Sequence, residues 1–341
     1  MNRWKLRIPE GVQDYLPEEC FNKRDIEESI RNIFFLSGYE EIETPSFEYF
    51  DVFNGSSINI EQEKMFKIVE AGSRILVMRP DLTMPIARIT ATKLNESLLP
   101  LRLSYISNVY RYEELQIDKQ REIAQAGVEL LGVAQPEADA EVISMAIQIF
   151  IKLGLSDFQI DIGQVEFFKG LIEESKIEPE ISEELRILID QKNLLALRAF
   201  LENVNIPDRL KHIFLGLPQL YGGVEILEEA MKLTQNPRCI KAVENINQVY
   251  NILKAYGLEK YISFDLGMVQ SLNYYTGIIF RGITSNIGFP LCGGGRYDSL
   301  LSEFGYDIPA TGFAIGIKRL LISLEKQKKL KKIPPIDILV I

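Results

Sequence analysis

Asp265-Leu266-Gly267-Met268-Val269-Gln270-Ser271-Leu272-Asn273-Tyr274-Tyr275-Thr276-Gly277 is the stretch around which the rest of the chain reads as organised. A short apolar run, Tyr261 to Leu266, leads into it, and another, Ile278 to Arg281, leads out. Two strand-like runs around a polar centre predict a hairpin. Adjacent tyrosines on such a strand point to opposite faces, one inward and one outward. Their rings can pack while their hydroxyls hydrogen-bond a polar ligand. On these residues alone, structural tyrosines and ligand contacts are about equally supported.

Composition narrows the classes. A chain of 341 residues holds two domains, or one large domain with an insertion. No apolar run approaches the length of a membrane span. The start, Met1-Asn2-Arg3-Trp4-Lys5, carries no apolar signal-peptide region. Cys20, Cys239 and Cys292 are isolated and odd in number, with neither metal-ligand spacing nor a disulfide framework. That usage suits a reducing compartment, so a cytoplasmic location is expected. The single histidine, His212, lies in a helical-looking stretch, which leaves little support for a histidine base. A net charge of −10 gives no basic nucleic-acid footprint at the level of the whole chain.

Read in order, the chain alternates strands with long helices. Pro17-Glu18-Glu19 opens a helix carrying Ile26, Ile30 and Phe34 at helical spacing, with Gly38 at its end. Tyr39 to Ile42 reads as a strand. Phe66–Val69 and Ile75–Met78 predict a hairpin. Asp81 and Thr83 read as ordinary N-caps of a helix beginning near Met84-Pro85. Leu101–Tyr112 and Ala124–Gly132 predict two antiparallel strands. On the second, Gln125, Gly127, Glu129 and Leu131 share one face. A buried Gln and Glu there need partners, and the glycine between them favours a close approach. Pro136–Leu153 is a strong helix and Phe158–Ile162 a strand. From Glu166 to about Lys260 the pattern is almost wholly helical, broken near Pro179, Pro207, Pro218 and Pro237. Thr311–Ile317 reads as a buried strand, and Lys318-Arg319 opens the last long helix. The triple glycine at 293–295 has neither Rossmann nor Walker spacing.

The expected fold is therefore α+β: a mostly antiparallel sheet flanked by helices. Residues 1–165 and 261–328 form its core and 166–260 a helical insertion. Residues 329–341 are expected to be a linker and the start of a missing or truncated C-terminal segment, because Ile338-Leu339-Val340-Ile341 reads as a strand with no successor.

Several segments together resemble a class II aminoacyl-tRNA synthetase core, specifically the histidyl one, from about Ile8 to Lys328. Glu43-Thr44-Pro45 with Phe47-Glu48 is similar to its first motif, a dimer-interface strand. Tyr110-Arg111-Tyr112-Glu113 through Gln125-Ala126-Gly127-Val128-Glu129 is similar to the second, and Gly312-Phe313-Ala314-Ile315-Gly316-Ile317-Lys318-Arg319 to the third. Leu272-Asn273-Tyr274-Tyr275-Thr276-Gly277 and Gly293-Gly294-Gly295-Arg296-Tyr297-Asp298 resemble two stretches characteristic of the histidine-specific enzyme. Each is weak alone; five in consistent order are specific. The resemblance implies a histidine pocket in which Asp81, Thr83 and Gln125 face the α-ammonium. Glu129 with Tyr274 and Tyr275 would hold the imidazole, and Arg111 would lie near the carboxylate. An imidazole needs donors or acceptors at both nitrogens, which this set supplies.

The departures from that family carry the functional reading. Its catalytic arginine falls on Gln270, its adenine-stacking aromatic on Ile123, a neighbouring histidine on Ala124, and its third-motif acid on Lys318. A neutral amide cannot supply the positive charge that stabilises a phosphoryl transition state. Arg111, Arg121 and Arg319 remain for an anion. Retained histidine contacts with damaged ATP chemistry resemble the regulatory subunit of ATP phosphoribosyltransferase, a histidyl-tRNA synthetase paralogue. That resemblance implies a non-catalytic subunit acting with a short-form catalytic subunit in the first step of histidine biosynthesis. It also implies a hetero-oligomer with L-histidine as feedback inhibitor, a class II homodimer within it, and no tRNA. No catalytic residue, cofactor or metal ligand is assigned. The alternatives are a divergent or truncated histidyl-tRNA synthetase, and an activating scaffold that does not sense histidine.

Overall fold

Apolar periodicity builds the first helix. The structure, a computed structural model, describes residues 3–55, 62–70, 72–112, 120–269, 274–285 and 287–334. Gln270, Leu272, Asn273, Glu113 and the expected terminal strand at 338–341 lie outside the described residues. Helix α1 (Pro17–Leu36) buries Ile26, Ile30 and Phe34 on one stripe. The Glu19 carboxylate accepts from the Leu16 N–H, satisfying an orphan donor at the helix start. Gly38, at φ +79°, turns the chain into β1 (Glu40–Glu41). Next come β2 (Phe47–Tyr49), β3 (Lys67–Val69) and β4 (Ile75–Met78), which form a small sheet in the order β2-β4-β3. The expected hairpin is β3–β4.

Helix α2 (Thr83–Lys93) leads to the long hairpin of β5 (Leu101–Tyr110) and β6 (Glu122–Leu131). Helix α3 (Pro136–Lys152) and β7 (Gln159–Gln164) follow. Then come α4 (Val165–Ser175), α5 (Pro179–Asp190), α6 (Leu194–Asn203) and α7 (Asp208–Gly216). A two-residue strand, β8 (Tyr221–Gly222), precedes α8 (Glu225–Leu233) and α9 (Pro237–Ala255). The chain returns through β9 (Ile262–Asp265), β10 (Ile278–Ile283), β11 (Cys292–Arg296) and β12 (Ala310–Gly316) to α10 (Ile317–Lys326).

Among the described residues the main sheet has nine strands in the order β1-β5-β6-β12-β11-β10-β7-β9-β8. All neighbouring pairs are antiparallel except β1–β5 and β7–β9. This is the α+β architecture expected of the chain. One expectation fails. β9 and β10 are not a hairpin, because β7 lies between them and pairs with both. Local pattern shows two strands and a connection, but not which third strand separates them. The helical stretch also contributes β8, at one edge of the sheet, which no sequence pattern marks.

Period two sorts β6 cleanly. Ala126, Val128 and Leu130 pack into the large core shared with α1 and α3, where Phe34 meets Phe313 edge-to-face at 6.3 Å. Residues such as Phe34 are worth about 3–5 kcal/mol against truncation to alanine. The alternate residues, Gln125, Gly127, Glu129 and Leu131, face the other side. There Tyr105, Leu131, Met84 and Tyr297 build a second, smaller core. The candidate site lies on that side.

Candidate functional site

A cavity of about 580 Å³ opens on this second face of the sheet, a volume in the small-molecule range. Its floor is set by cross-strand register. Glu129 pairs with Gly312, Gly127 with Ala314, and Gln125 with Gly316. Continuing across the sheet, Ala314 pairs with Gly293 and Gly293 with Arg281. The cavity thus follows β12 from Gly312 to Gly316, about 13 Å at the rise of a strand. Small residues on the floor leave its space open.

Glu129 marks one end. It is 2 % exposed. Thr83 Oγ1 donates to its Oε1 at 2.8 Å, and the Tyr297 hydroxyl donates to its Oε2. Burial pushes the Glu129 carboxyl up to about 8; the two hydroxyl donors pull it back in part, and the nearby Asp81 raises it again. Its seat needs glycine: a Cβ on Gly312 would come 2.0 Å from Glu129 Oε2. Gly127 serves the neighbouring row, where the Tyr105 hydroxyl would lie 2.3 Å from a Cβ. The close approach expected at this glycine is made by the ring of the paired strand.

The tyrosines form the wall. Tyr274 stacks on Tyr297 at 5.3 Å, and Tyr275 meets Tyr274 edge-on at 4.8 Å. Both lie outside the strands and both line the cavity, against the expectation that they point to opposite faces. Strand alternation does not apply to them because they precede β10. Burial raises the hydroxyl pKa of Tyr105, Tyr274, Tyr275 and Tyr297, so all four remain donors.

Asp81 and Arg111 sit beside the wall. Asp81 accepts the Met84 N–H at 3.2 Å from one residue before the N-cap Leu82, while Thr83 is the first helical residue and not a cap; the other Asp81 oxygen lies 3.9 Å from Arg111 Nη2. Arg111 Nε donates to the Pro80 carbonyl at 2.7 Å, which fixes the guanidinium. All seven sequence-predicted residues, Asp81, Thr83, Arg111, Gln125, Glu129, Tyr274 and Tyr275, therefore line one cavity. Thr83 stands with Glu129 rather than with Asp81 and Gln125.

Among the lining residues that were not anticipated, Tyr105 and Tyr297 touch the predicted set most directly. Gly127 signalled that something approaches it, and Tyr297 belongs to the glycine-rich stretch singled out above. That stretch divides by role. Arg296 forms a buried pair with Asp139 of α3 at 2.9 Å, Tyr297 holds Glu129, and Asp298 accepts the Ala310 N–H at 3.0 Å.

The far end is basic. Lys318, Arg319 and Arg281 line it, with Phe289 and Pro290 beside them. Arg319 Nη1 donates to the Pro290 carbonyl at 2.7 Å and its guanidinium covers the Phe289 ring. Burial lowers the Lys318 pKa. Ile123 lines the cavity with an aliphatic chain. Arg121 is not among the lining residues; it stacks on Tyr112 at 4.4 Å. Among the described residues there is no cluster of three or more His, Cys, Asp or Glu able to hold a metal ion.

Comparison with known proteins bears on this geometry. The histidyl-tRNA synthetase family profile matches residues 11–320. The chain is 52% identical to the ATP phosphoribosyltransferase regulatory subunit of Acetivibrio thermocellus over 340 residues, 100% of this chain and 81% of that protein. The chain belongs to the ATP phosphoribosyltransferase regulatory-subunit family. The relative from Ruminiclostridium cellulolyticum, of the same name, is 48% identical with the same coverage. A Bacillus halodurans crystal structure, described as an ATP phosphoribosyltransferase regulatory subunit/histidyl-tRNA synthetase, superposes with a TM-score of 0.88 at 37% identity. It covers 94% of this chain and 83% of that one. A Nostoc sp. histidyl-tRNA synthetase shares the fold, with a TM-score of 0.83 at 23% identity, covering 96% of this chain and 77% of that one. Membership in this family makes the chain a regulatory subunit rather than a catalytic one.

Proposed function

We propose that this subunit senses L-histidine in the cavity and relays its presence to a short-form ATP phosphoribosyltransferase catalytic subunit. Feedback on the first step of histidine biosynthesis follows from that pairing. The observation that carries the reading is Glu129, a buried carboxyl clasped by Thr83 and Tyr297 inside a tyrosine wall. A carboxyl titrating near 8 meets an imidazole, whose ordinary pKa is about 6.5, across one shared proton. Asp81 and Gln125 offer the opposite charge and an amide to an α-ammonium, and Arg111 offers a fork to the carboxylate. Thr83 acts here through Glu129.

Inhibition requires different histidine affinities in two states of the complex, with a typical coupling of about 1–3 kcal/mol. Class II homodimerisation through the first-motif region fits the exposed Phe35, Leu36 and Phe47. Residues 166–260 are best treated as a helical insertion in a core of 1–165 and 261–328, and the location as cytoplasmic. The experiment is copurification with a short-form catalytic subunit, followed by its assay with and without histidine. Inhibition that disappears in Glu129→Ala supports the reading. Inhibition untouched by Glu129→Ala points to a scaffold. Histidine-dependent ATP–pyrophosphate exchange by this chain alone would make it a synthetase instead.

A further inference from the structure

The tyrosine wall stands on chain that no strand ladder holds. Residues 266–269 and 274–275 lie between β9 and β10, outside both. Their backbone is instead fastened by donors from the helical stretch. Lys169 of α4 donates to the Tyr275 carbonyl at 3.1 Å. Arg186 of α5 reaches the Val269 carbonyl at 3.4 Å. Lys192, between α5 and α6, lies 3.1 Å from Asp265 Oδ2 at the root of the segment.

Asp265 is completely buried. The same Oδ2 also accepts from Arg281 Nη2 at 3.1 Å, while Oδ1 takes the Gly267 N–H at 3.0 Å. Arg281, which lines the cavity, spends its Nε on the equally buried Asp161 at 3.1 Å. One carboxylate thus joins a cation from the cavity floor to a cation from the helices. A buried carboxylate held by two cations is costly to strip of either one.

Lys192 shows a further sign. Its φ is +52°, the left-handed region that glycine occupies without penalty. The backbone alone favours glycine there, and what glycine lacks is the reach to Asp265.

We propose that Lys169, Arg186 and Lys192 are positioning residues for the tyrosine wall, through which α4 and α5 read the occupancy of the pocket. A ligand that bears on Tyr275 loads its carbonyl and so Lys169, and one that bears on Arg281 loads Asp265 and so Lys192. The ligand reading rests on the histidine pocket proposed above; the positioning itself does not.

The test uses Lys192→Gly, Lys169→Met and their arginine counterparts in the full chain. L-Histidine is titrated calorimetrically, and hydrogen–deuterium exchange is followed across 262–283 in the ligand-free protein. Each loss variant is expected to weaken histidine about fivefold, part of the worth of one charged hydrogen bond. Melting temperature should fall in Lys192→Gly because Asp265 loses a cation, a fall offset in part because glycine relieves the backbone. Exchange in 262–283 should quicken, and Lys192→Arg should restore both readings. If wild-type protein binds no histidine, the pocket reading fails, and the exchange data still decide the positioning. Unchanged exchange in both loss variants and their double would overturn the proposal.

Discussion

The two ends of the cavity are built differently. At the Glu129 end the polar groups are already oriented, and Glu129 itself is buried: a threonine and a tyrosine hydroxyl on one carboxyl, a backbone N–H on Asp81, a carbonyl on Arg111. At the Lys318 end Arg319 rests on a carbonyl and an aromatic ring and Arg281 is paired with two buried carboxylates, beside an aliphatic Ile123. A preorganised polar site rejects ligands that leave its groups unpaired, whereas a cation already paired within the protein has no partner to lose. The contrast agrees with what the sequence resemblance implies for Gln270, a neutral amide in place of a catalytic arginine. Selection on one end for recognition and its relaxation at the other would leave this asymmetry.

The largest effect should come from breaking the ordered end at its centre. Glu129→Gln keeps the size but loses the titratable proton that the carboxyl can pass to an imidazole, and histidine affinity should fall about 100-fold, read by calorimetry. Tyr297→Phe removes one donor and leaves the ring stacked on Tyr274; a loss of about tenfold is expected in the same titration.

A pH series sharpens the contrast without ligand. Glu129 titrates near 8 in the folded protein against an ordinary 4.5. Because the folded state holds its proton more tightly, the stabilisation is fully present below 4.5 and is lost as pH rises through about 8. Its slope is at most about 1.4 kcal/mol per pH unit. Wild-type denaturation midpoints should therefore drop between pH 5 and 8 more than those of Glu129→Gln. Parallel curves would show that Glu129 is ionised throughout. The smallest effect belongs to the other end: Lys318→Ala should change histidine affinity less than about twofold, because this partly buried charge lies outside the proposed contact set.

Much of the site was legible because strand period is strict. Once Gln125 to Leu131 reads as a strand, Glu129 and Gln125 must share a face, and they do. What sequence could not supply was adjacency. The partner of Gly127 is Tyr105, on the neighbouring strand, and the partner of Glu129 is Tyr297, just after β11 and five strands later in the chain. The supposed hairpin at 265–277 failed for the same reason, since only the sheet order shows β7 between its arms. Lys192 is invisible to pattern reading: its importance lies in a backbone angle and a buried aspartate far along the chain. β8 is two residues long and carries no periodic signal.

The central claim is that this cavity recognises histidine through the hydrogen bonds of its ring. The most direct measurement titrates the full chain at pH 7 with L-histidine and, separately, with L-phenylalanine, whose ring fills the same wall but bonds nothing. The account predicts saturable histidine binding, with phenylalanine weaker by at least about 10³-fold. Equal affinity for the two amino acids, or no binding of histidine by the chain alone or with its catalytic partner, would contradict it.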